Sequence, residues 1–81
     1  MTDTSPAPAA RQIWQDNDPR TTGRFLRIDS VDATYARVLP IAWNPTARIA
    51  VALPGARRTR IRLDRFRPTS TGYRYITTEV R

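Results

Sequence analysis

The chain contains no cysteine, no histidine and no lysine among its 81 residues. Without cysteine it has neither a disulfide nor a thiolate metal site. Without histidine it lacks the side chain that most often serves as a general base or a metal ligand. Glycine is scarce, with three residues, and the sequence contains no glycine-rich phosphate loop and no catalytic triad. We therefore expect a protein that is not an enzyme and that holds no metal and no cofactor.

The carboxylates do not form an evident catalytic site either. The sequence has seven acidic residues, and two of them, Asp16 and Asp18, fall in a predicted turn. Asp64 lies in the sequence between Arg62 and Arg65. A lone aspartate among arginines is more often a helix cap or an ion-pair partner than a catalytic group.

Long apolar runs are absent as well. Leucine, isoleucine, valine and phenylalanine account for sixteen of the 81 residues, close to the fraction below which charged chains stay disordered. This composition predicts one small domain with a small core and marginal stability. No run approaches transmembrane length, and the first residues lack the apolar segment of a signal peptide. We expect a monomeric cytoplasmic protein that does not bind membranes.

Arginine is what the chain has in excess. It supplies all fourteen basic residues, and the formal net charge is +7. Arginine is always ionised and can hold a phosphate through two parallel hydrogen bonds. Six arginines fall between Arg57 and Arg67. A GC-rich genome would explain the absence of lysine, but codon bias would not cluster the arginines. The cluster favours nucleic acid or an acidic protein as the partner.

Alternation of apolar and polar residues predicts short β-strands. The first begins at Ile13, and the others cover residues 24–31, 35–41, 48–53, 57–63 and 73–76. A three-residue loop, Pro54–Ala56, would join the fourth and fifth segments as a hairpin. In that hairpin Val51 would lie opposite Thr59, because this loop length keeps their apolar residues on one face.

The apolar positions of these strands define one predicted core. Its members are Leu26, Ile28, Val38, Ile61, Leu63 and Phe66, with Trp14 and Tyr73 packed beside them. Val31 would share their face only if a bulge near Asp29 or Ser30 shifts the alternation. Residues 63–68 are predicted to form one 3₁₀ turn that ends at Pro68.

Short, mostly antiparallel strands with a helical turn before the last one fit an all-β fold, a small five-stranded barrel. Closure of a barrel removes sheet edges that would otherwise aggregate. Residues 11–77 would form this barrel. Residues 1–10, which offer nothing to bury, would be a disordered N-terminal arm, and residues 78–81 a C-terminal tail.

Several segments carry a resemblance to known proteins. Residues 24–28 followed by residues 35–38 are similar to the first hairpin of KOW-type barrels in transcription and ribosomal proteins, although the KOW glycine pattern is absent. The order of strands and turn looks like an SH3-like barrel. Residues 14–20, together with 60–69 and 72–74, resemble small proteins of high-GC actinobacteria and their phages. These resemblances imply a fold and a provenance, and no activity.

The arginine cluster alternates with Thr59, Ile61 and Leu63, which is the period of a strand with one buried face. Every second arginine would then stand in one outward row, about 6.5–7 Å apart. Other outward arginines and neighbouring aromatic rings would grip backbone and stack on bases. The candidate nucleic-acid-binding residues are Arg58, Arg60, Arg62, Arg65, Arg67, Arg37, Arg27, Arg74, Tyr35 and Tyr75.

Two functions remain open at this stage. The first is a basic nucleic-acid-binding barrel, for DNA or RNA, that contacts mainly phosphate and has little sequence preference. The second is a protein-interaction module, such as a phage-derived adaptor, that docks on an acidic partner or through an exposed apolar groove. The simplest alternative for the arginine row is a solvated face that keeps a small protein soluble.

Overall fold

The computed structural model of the chain describes residues 6–18, 20, 24–69 and 72–79. These residues form an all-β structure without an α-helix. The strands are β1 (Gln12–Asp16), β2 (Phe25–Val31), β3 (Tyr35–Asn44), β4 (Ile49–Ala52), β5 (Thr59–Arg62) and β6 (Tyr73–Thr78). The predicted 3₁₀ turn is confirmed at Leu63–Arg65, between β5 and β6. The described part of the chain contains no helix long and apolar enough to cross a membrane.

The six strands form one antiparallel sheet in the order β4-β3-β2-β1-β6, with β5 also paired to β3. Six strands are present where a five-stranded barrel was expected, and the segment at Ile13 is the first of the six. Among the described residues, β6 does not pair with β4 or β5, so no ladder closes the sheet into a barrel. The two ends nevertheless curve toward each other, since Arg48 Nη2 donates to Thr77 Oγ1 at 2.9 Å.

The predicted hairpin between residues 48–53 and 57–63 is wrong. β4 pairs with residues 41–44 of β3, and β5 pairs with residues 35–38 of the same strand. Because β2 occupies the other edge of β3, β4 and β5 must lie end to end along one edge. The chain runs in one direction through both strands and leaves the sheet between them, at residues 53–58.

The interruption between β4 and β5 lies opposite Pro40 of β3. The Leu53 N–H donates to the Pro40 carbonyl at 3.3 Å, so in this ladder the Pro40 nitrogen faces the same neighbour. Proline has no N–H to return that hydrogen bond. The Leu53 carbonyl instead accepts the Ala56 N–H at 3.0 Å, in a turn where Gly55 has φ 71°. The chain therefore departs from the sheet where β3 cannot donate.

β2 contains the bulge on which the position of Val31 depended. The register of β2 against β3 shifts between Ile28 and Ser30, so Asp29 is the extra residue. Beyond the bulge Val31 pairs with Ala36, which is fully buried. The bulge thus places Val31 on the face of Ala36, although Val31 itself is 37% exposed.

The largest buried cluster lies on one face of the sheet and is centred on Trp14, while Ile13 and Ile41 are buried outside this cluster. The Trp14 ring centroid is 5.0 Å from that of Phe66 and 5.6 Å from that of Tyr75, both in edge-to-face arrangements. Such pairs stabilise beyond the burial of their area. The buried members of this core are Trp14, Leu26, Ile28, Ala36, Val38 and Phe66. Ile61 and Leu63, which were predicted to be buried, are only partly so, as is Tyr73.

Gln12 is the buried polar side chain of the described residues. Its Oε1 accepts the Trp14 Nε1–H at 2.9 Å and the Ala9 N–H at 3.0 Å. Its Nε2 donates to the Ala7 carbonyl at 2.9 Å. One amide therefore satisfies the core indole and ties the residues before β1 to the sheet.

We expect Gln12→Leu to lower the free energy of unfolding by about 1–3 kcal/mol, because the buried Trp14 indole N–H loses its acceptor. Chemical denaturation measures this cost, and Trp14→Phe provides the control because it removes the indole N–H. In the Trp14→Phe background, Gln12→Leu should cost less. An equal cost in both backgrounds would mean that the amide acts through Ala7 and Ala9 and not through the indole.

Candidate nucleic-acid interface

Four of the candidate residues meet on the outer surface where β3 pairs with β5. Arg37 of β3 is paired with Arg60 of β5, and Tyr35 is paired with Arg62. Directly paired residues of antiparallel strands share a face, so all four side chains stand together. The three arginines are exposed, and Tyr35 is half-buried. We call Tyr35, Arg37, Arg60 and Arg62 the arginine face.

Arg37 and Arg60 are a like-charged pair directly across this ladder. Neither is in an ion pair with another described residue. Like charges in this position destabilise a sheet. The Arg60 guanidinium carbon lies 4.9 Å from the centroid of the Tyr35 ring, a cation–π contact that holds Arg60 over the face. The strand pairing therefore brings the positive charges of Arg37 and Arg60 together, and no carboxylate of the described residues forms an ion pair with either.

Asp32 lies in the β2–β3 turn and acts on this pair through its charge. Its Oδ1 accepts the N–H groups of Thr34 and Tyr35 at 2.8 and 2.7 Å. The hydrogen bond from Tyr35 and then that from Thr34 lower the pKa of Asp32. The charges of Arg37 and Arg60 lower this pKa further. Asp32 is thus an anion at neutral pH that fixes the start of β3 and partly offsets the two arginines.

The predicted row of Arg58, Arg60 and Arg62 is present in part. Arg60 and Arg62 stand on one face of β5, as alternation requires. Arg58 precedes β5, and its Nε donates to Asp29 Oδ2 at 2.6 Å. Since Asp29 is the bulge residue of β2, Arg58 reaches across β3 to it. The bulge carboxylate therefore compensates one of the three predicted charges.

Two other candidates are also ion-paired. Arg62 Nη2 lies 3.2 Å from Asp64 Oδ2, so the ion-pair role predicted for Asp64 is confirmed. Arg27 Nε lies 3.4 Å from Asp29 Oδ1, and its Nη1 lies 3.7 Å from Glu79 Oε1. The Arg62 pair is exposed and contributes little to stability. Its guanidinium stays accessible to another anion, whereas Arg27 is more enclosed.

The remaining arginine candidates lie on other elements. Arg65 is the last residue of the 3₁₀ turn, and Arg67 follows shortly after it; both are exposed. Arg74 is on β6, where its Nη2 donates to Gln15 Oε1 at 2.5 Å. These three side chains add to the positive charge of the protein from outside the β3–β5 ladder.

Tyr75 lies on the core side of β6. Its ring packs against Trp14, and its hydroxyl is 2.7 Å from the hydroxyl oxygen of Thr78. Neighbouring residues of a strand point to opposite faces. As neighbours on one strand, Arg74 and Tyr75 cannot both face outward, so the sequence itself shows that only one of these two candidates can belong to an outer surface.

A strip of exposed apolar side chains on β4 was also missed from the sequence. Ile49, Val51 and Leu53 are 53%, 57% and 41% exposed. In the predicted hairpin they would have shared a buried face with Thr59 and Ile61. Because β5 pairs with β3 instead, it does not cover these three side chains, and they stay exposed. We call Ile49, Val51 and Leu53 the β4 strip.

The chemistry that the arginine face can perform is recognition of anions. Guanidinium groups donate in a planar fork that matches phosphate and carboxylate oxygens. The described residues include no group of three or more side chains that could hold a metal ion.

Comparisons with protein-family models, with curated proteins and with solved structures find no match to this chain.

Proposed function

We propose that this protein is a non-catalytic nucleic-acid-binding module whose arginine face contacts mainly the phosphate backbone. The Arg37–Arg60 pair carries the proposal, since it places two arginines directly opposite each other across the ladder, with neither in an ion pair among the described residues. Each can hold a phosphate through two parallel hydrogen bonds. A phosphate between them would relieve the repulsion that the pair imposes on the free protein.

Tyr35 supports the choice of nucleic acid over a small anion. Arg60 lies over its ring and is exposed, and an exposed guanidinium or aromatic ring can stack on an unpaired base. Base stacking on such groups tolerates any sequence, because every base has a π-face. We therefore propose binding to DNA or RNA with little sequence preference, and at least as well to single strands as to duplexes.

We further propose that the sheet is an SH3-like barrel left open between β6 and β4. The order of the strands, the 3₁₀ turn before the last strand and the bond from Arg48 to Thr77 support this proposal. A cytoplasmic role in a high-GC actinobacterium or its phage remains part of the proposal, based on the resemblance of residues 14–20, 60–69 and 72–74.

A salt series on the wild-type protein tests the proposed function. Random single-stranded DNA, duplex DNA and RNA would be titrated by fluorescence anisotropy at several NaCl concentrations. Contacts from Arg37, Arg60 and Arg62 should give a slope of log K against log salt of about −2 to −3, at about 0.7–0.9 for each contact. If none of the three nucleic acids binds at low salt, the proposal is wrong and an acidic protein becomes the favoured partner.

We expect Asp32→Asn to tighten nucleic-acid binding by about 1.5- to 5-fold, the range typical of one exposed charge interaction. Asparagine keeps the side-chain oxygen that accepts from Thr34 and Tyr35 but removes the negative charge that acts on the arginine face. Anisotropy titration measures the change. The matched control is Asp18→Asn, whose carboxylate pairs with Arg20 at 3.0 Å in the β1–β2 connection. Equal tightening by both variants would mean that only net charge matters.

A further inference from the structure

The backbone of β4 is paired on one side only in the described structure, with β3. The hydrogen bond from Leu53 to Pro40 sets the alternation of that ladder. Residues 49, 51 and 53 direct their N–H and C=O groups to β3, so Ala50 and Ala52 direct theirs away from it. Unpaired groups of this kind form a template for another strand.

The free edge of β4 is short, with four residues, but it carries no charged side chain, no proline and no bulge. Charged side chains, proline and bulges normally prevent strand addition, but the sequence of β4 is Ile49, Ala50, Val51, Ala52. The β4 strip lines one face of this edge with exposed apolar groups. The two alanines are small, so an incoming backbone can approach closely.

The charge around this edge selects the occupant. Arg48 and Arg57 flank β4, and the sequence from residue 33 to residue 63 contains no carboxylate, although Glu79 lines the cavity beside Arg48. A second copy of the chain would bring like charges together, which is strongly unfavourable at an interface. Four residues of edge also bury far less than the roughly 1,200–2,000 Å² of a stable interface. A short acidic segment of another protein fits both the charge and the size.

We propose that the free edge of β4 binds an extended acidic peptide from a partner protein by strand addition. The peptide backbone pairs with Ala50 and Ala52, and apolar side chains at alternate positions pack on the β4 strip. Carboxylates beyond the apolar segment meet Arg48 and Arg57, the exposed arginines that flank the two ends of β4 in the sequence. Arg48 donates to Thr77 Oγ1 in the free protein, and the peptide carboxylate replaces that hydroxyl as its acceptor. This surface uses none of the residues of the arginine face, so it does not depend on nucleic-acid binding.

The probe is a capped eight-residue peptide in which alternating valine and threonine lie between terminal pairs of glutamate. Titration into ¹⁵N-labelled wild-type protein should move the amide signals of residues 49–53 most and slow the hydrogen exchange of Ala50 and Ala52. A control peptide of equal charge, with glycine and serine in place of valine and threonine, should bind at least tenfold more weakly.

Backbone pairing is tested on the peptide itself. N-methylation of one alternating set of its amides should weaken binding at least tenfold, and methylation of the other set should leave it within about threefold. On the protein, Ala52→Pro removes an N–H that β3 does not use, and it should lose the peptide while keeping its affinity for nucleic acid. If the Ala52→Pro variant does not fold, the methylated peptides still test backbone pairing, because they bind to the wild-type protein.

Three results would overturn the inference. Equal binding of the glycine–serine peptide, with shifts centred on Arg37 and Arg60, would show plain electrostatic attraction. Concentration-dependent dimerisation through residues 49–53 would make a second copy the occupant. Failure of the probe to bind at about 1 mM, or equal tolerance of both methylated peptides, would exclude strand addition.

Discussion

Replacing both Arg37 and Arg60 with alanine should weaken nucleic-acid binding by about 10- to 50-fold near 0.1 M salt and flatten the salt slope by about 1.4–1.8, the value for two lost phosphate contacts. The free energy of unfolding should not fall. Because the two charges lie directly opposite each other, their removal should leave stability unchanged or raise it by up to about 1 kcal/mol. Anisotropy titrations and chemical denaturation of the same variant measure both effects.

A matched variant separates a site from diffuse charge. Arg20→Ala with Arg24→Ala removes the same charge from two exposed residues of the β1–β2 connection, at the end of β2 that lies away from Arg37. This control should bind nucleic acid within about threefold of the wild type. If both double variants lose affinity equally, the arginine face is not a site and binding reflects net charge alone.

Trp14→Ala should lower the free energy of unfolding by about 3–5 kcal/mol, the usual cost of truncating a buried aromatic residue. Trp14 is fully buried, packs edge-to-face on Phe66 and Tyr75, and donates to Gln12. A domain with so small a core has little stability to lose. Circular dichroism at 25 °C should therefore show a largely unfolded protein.

Leu63→Ala is the comparison for Trp14→Ala. Leu63 is only partly buried, so its truncation removes less buried area and should cost about 1–2 kcal/mol. The variant should stay folded and unfold cooperatively at lower denaturant. A cost for Leu63→Ala equal to that for Trp14→Ala, or a stable Trp14→Ala protein, would contradict a core centred on Trp14.

The local features of the fold could be predicted from the sequence because they have local causes. A period of two in the alternation identified the strand segments. The alternation made a bulge near Asp29 or Ser30 the condition for Val31 to share the face of Leu26 and Ile28. The proline after residue 67 indicated the 3₁₀ turn. The parity of β5 likewise predicted that Arg60 and Arg62 share an outward face.

The strand partners could not be predicted in the same way. Alternation determines which face a side chain takes but not which strand lies beside it, so a hairpin of β4 with β5 satisfied parity equally well. Pro40 separates the two partners that share one edge of β3. It has no N–H to donate, and opposite it the chain leaves β3 after β4 and returns as β5. A proline inside a predicted strand signals an interruption, but it does not show where the chain rejoins the sheet.

The candidate site depended on those partners. Arg37 and Arg60 were each predicted to face outward, but only the pairing of β5 with β3 places them opposite each other. The same pairing leaves the β4 strip exposed. The bulge at Asp29 positions a carboxylate that binds Arg58, which no pattern in the sequence indicated. Composition predicted the class of partner, and topology determined which arginines are left to bind it.

The most direct test of the nucleic-acid proposal is an NMR titration that follows the arginine side chains. A single-stranded oligothymidylate would be added to ¹⁵N-labelled wild-type protein at near-physiological salt. The largest shifts should appear at the Nε–H signals of Arg37 and Arg60 and at the amide of Tyr35, with the signals of Arg20 and Arg24 unchanged. Small shifts of equal size at all arginines, or shifts confined to residues away from the arginine face, would contradict the proposed site.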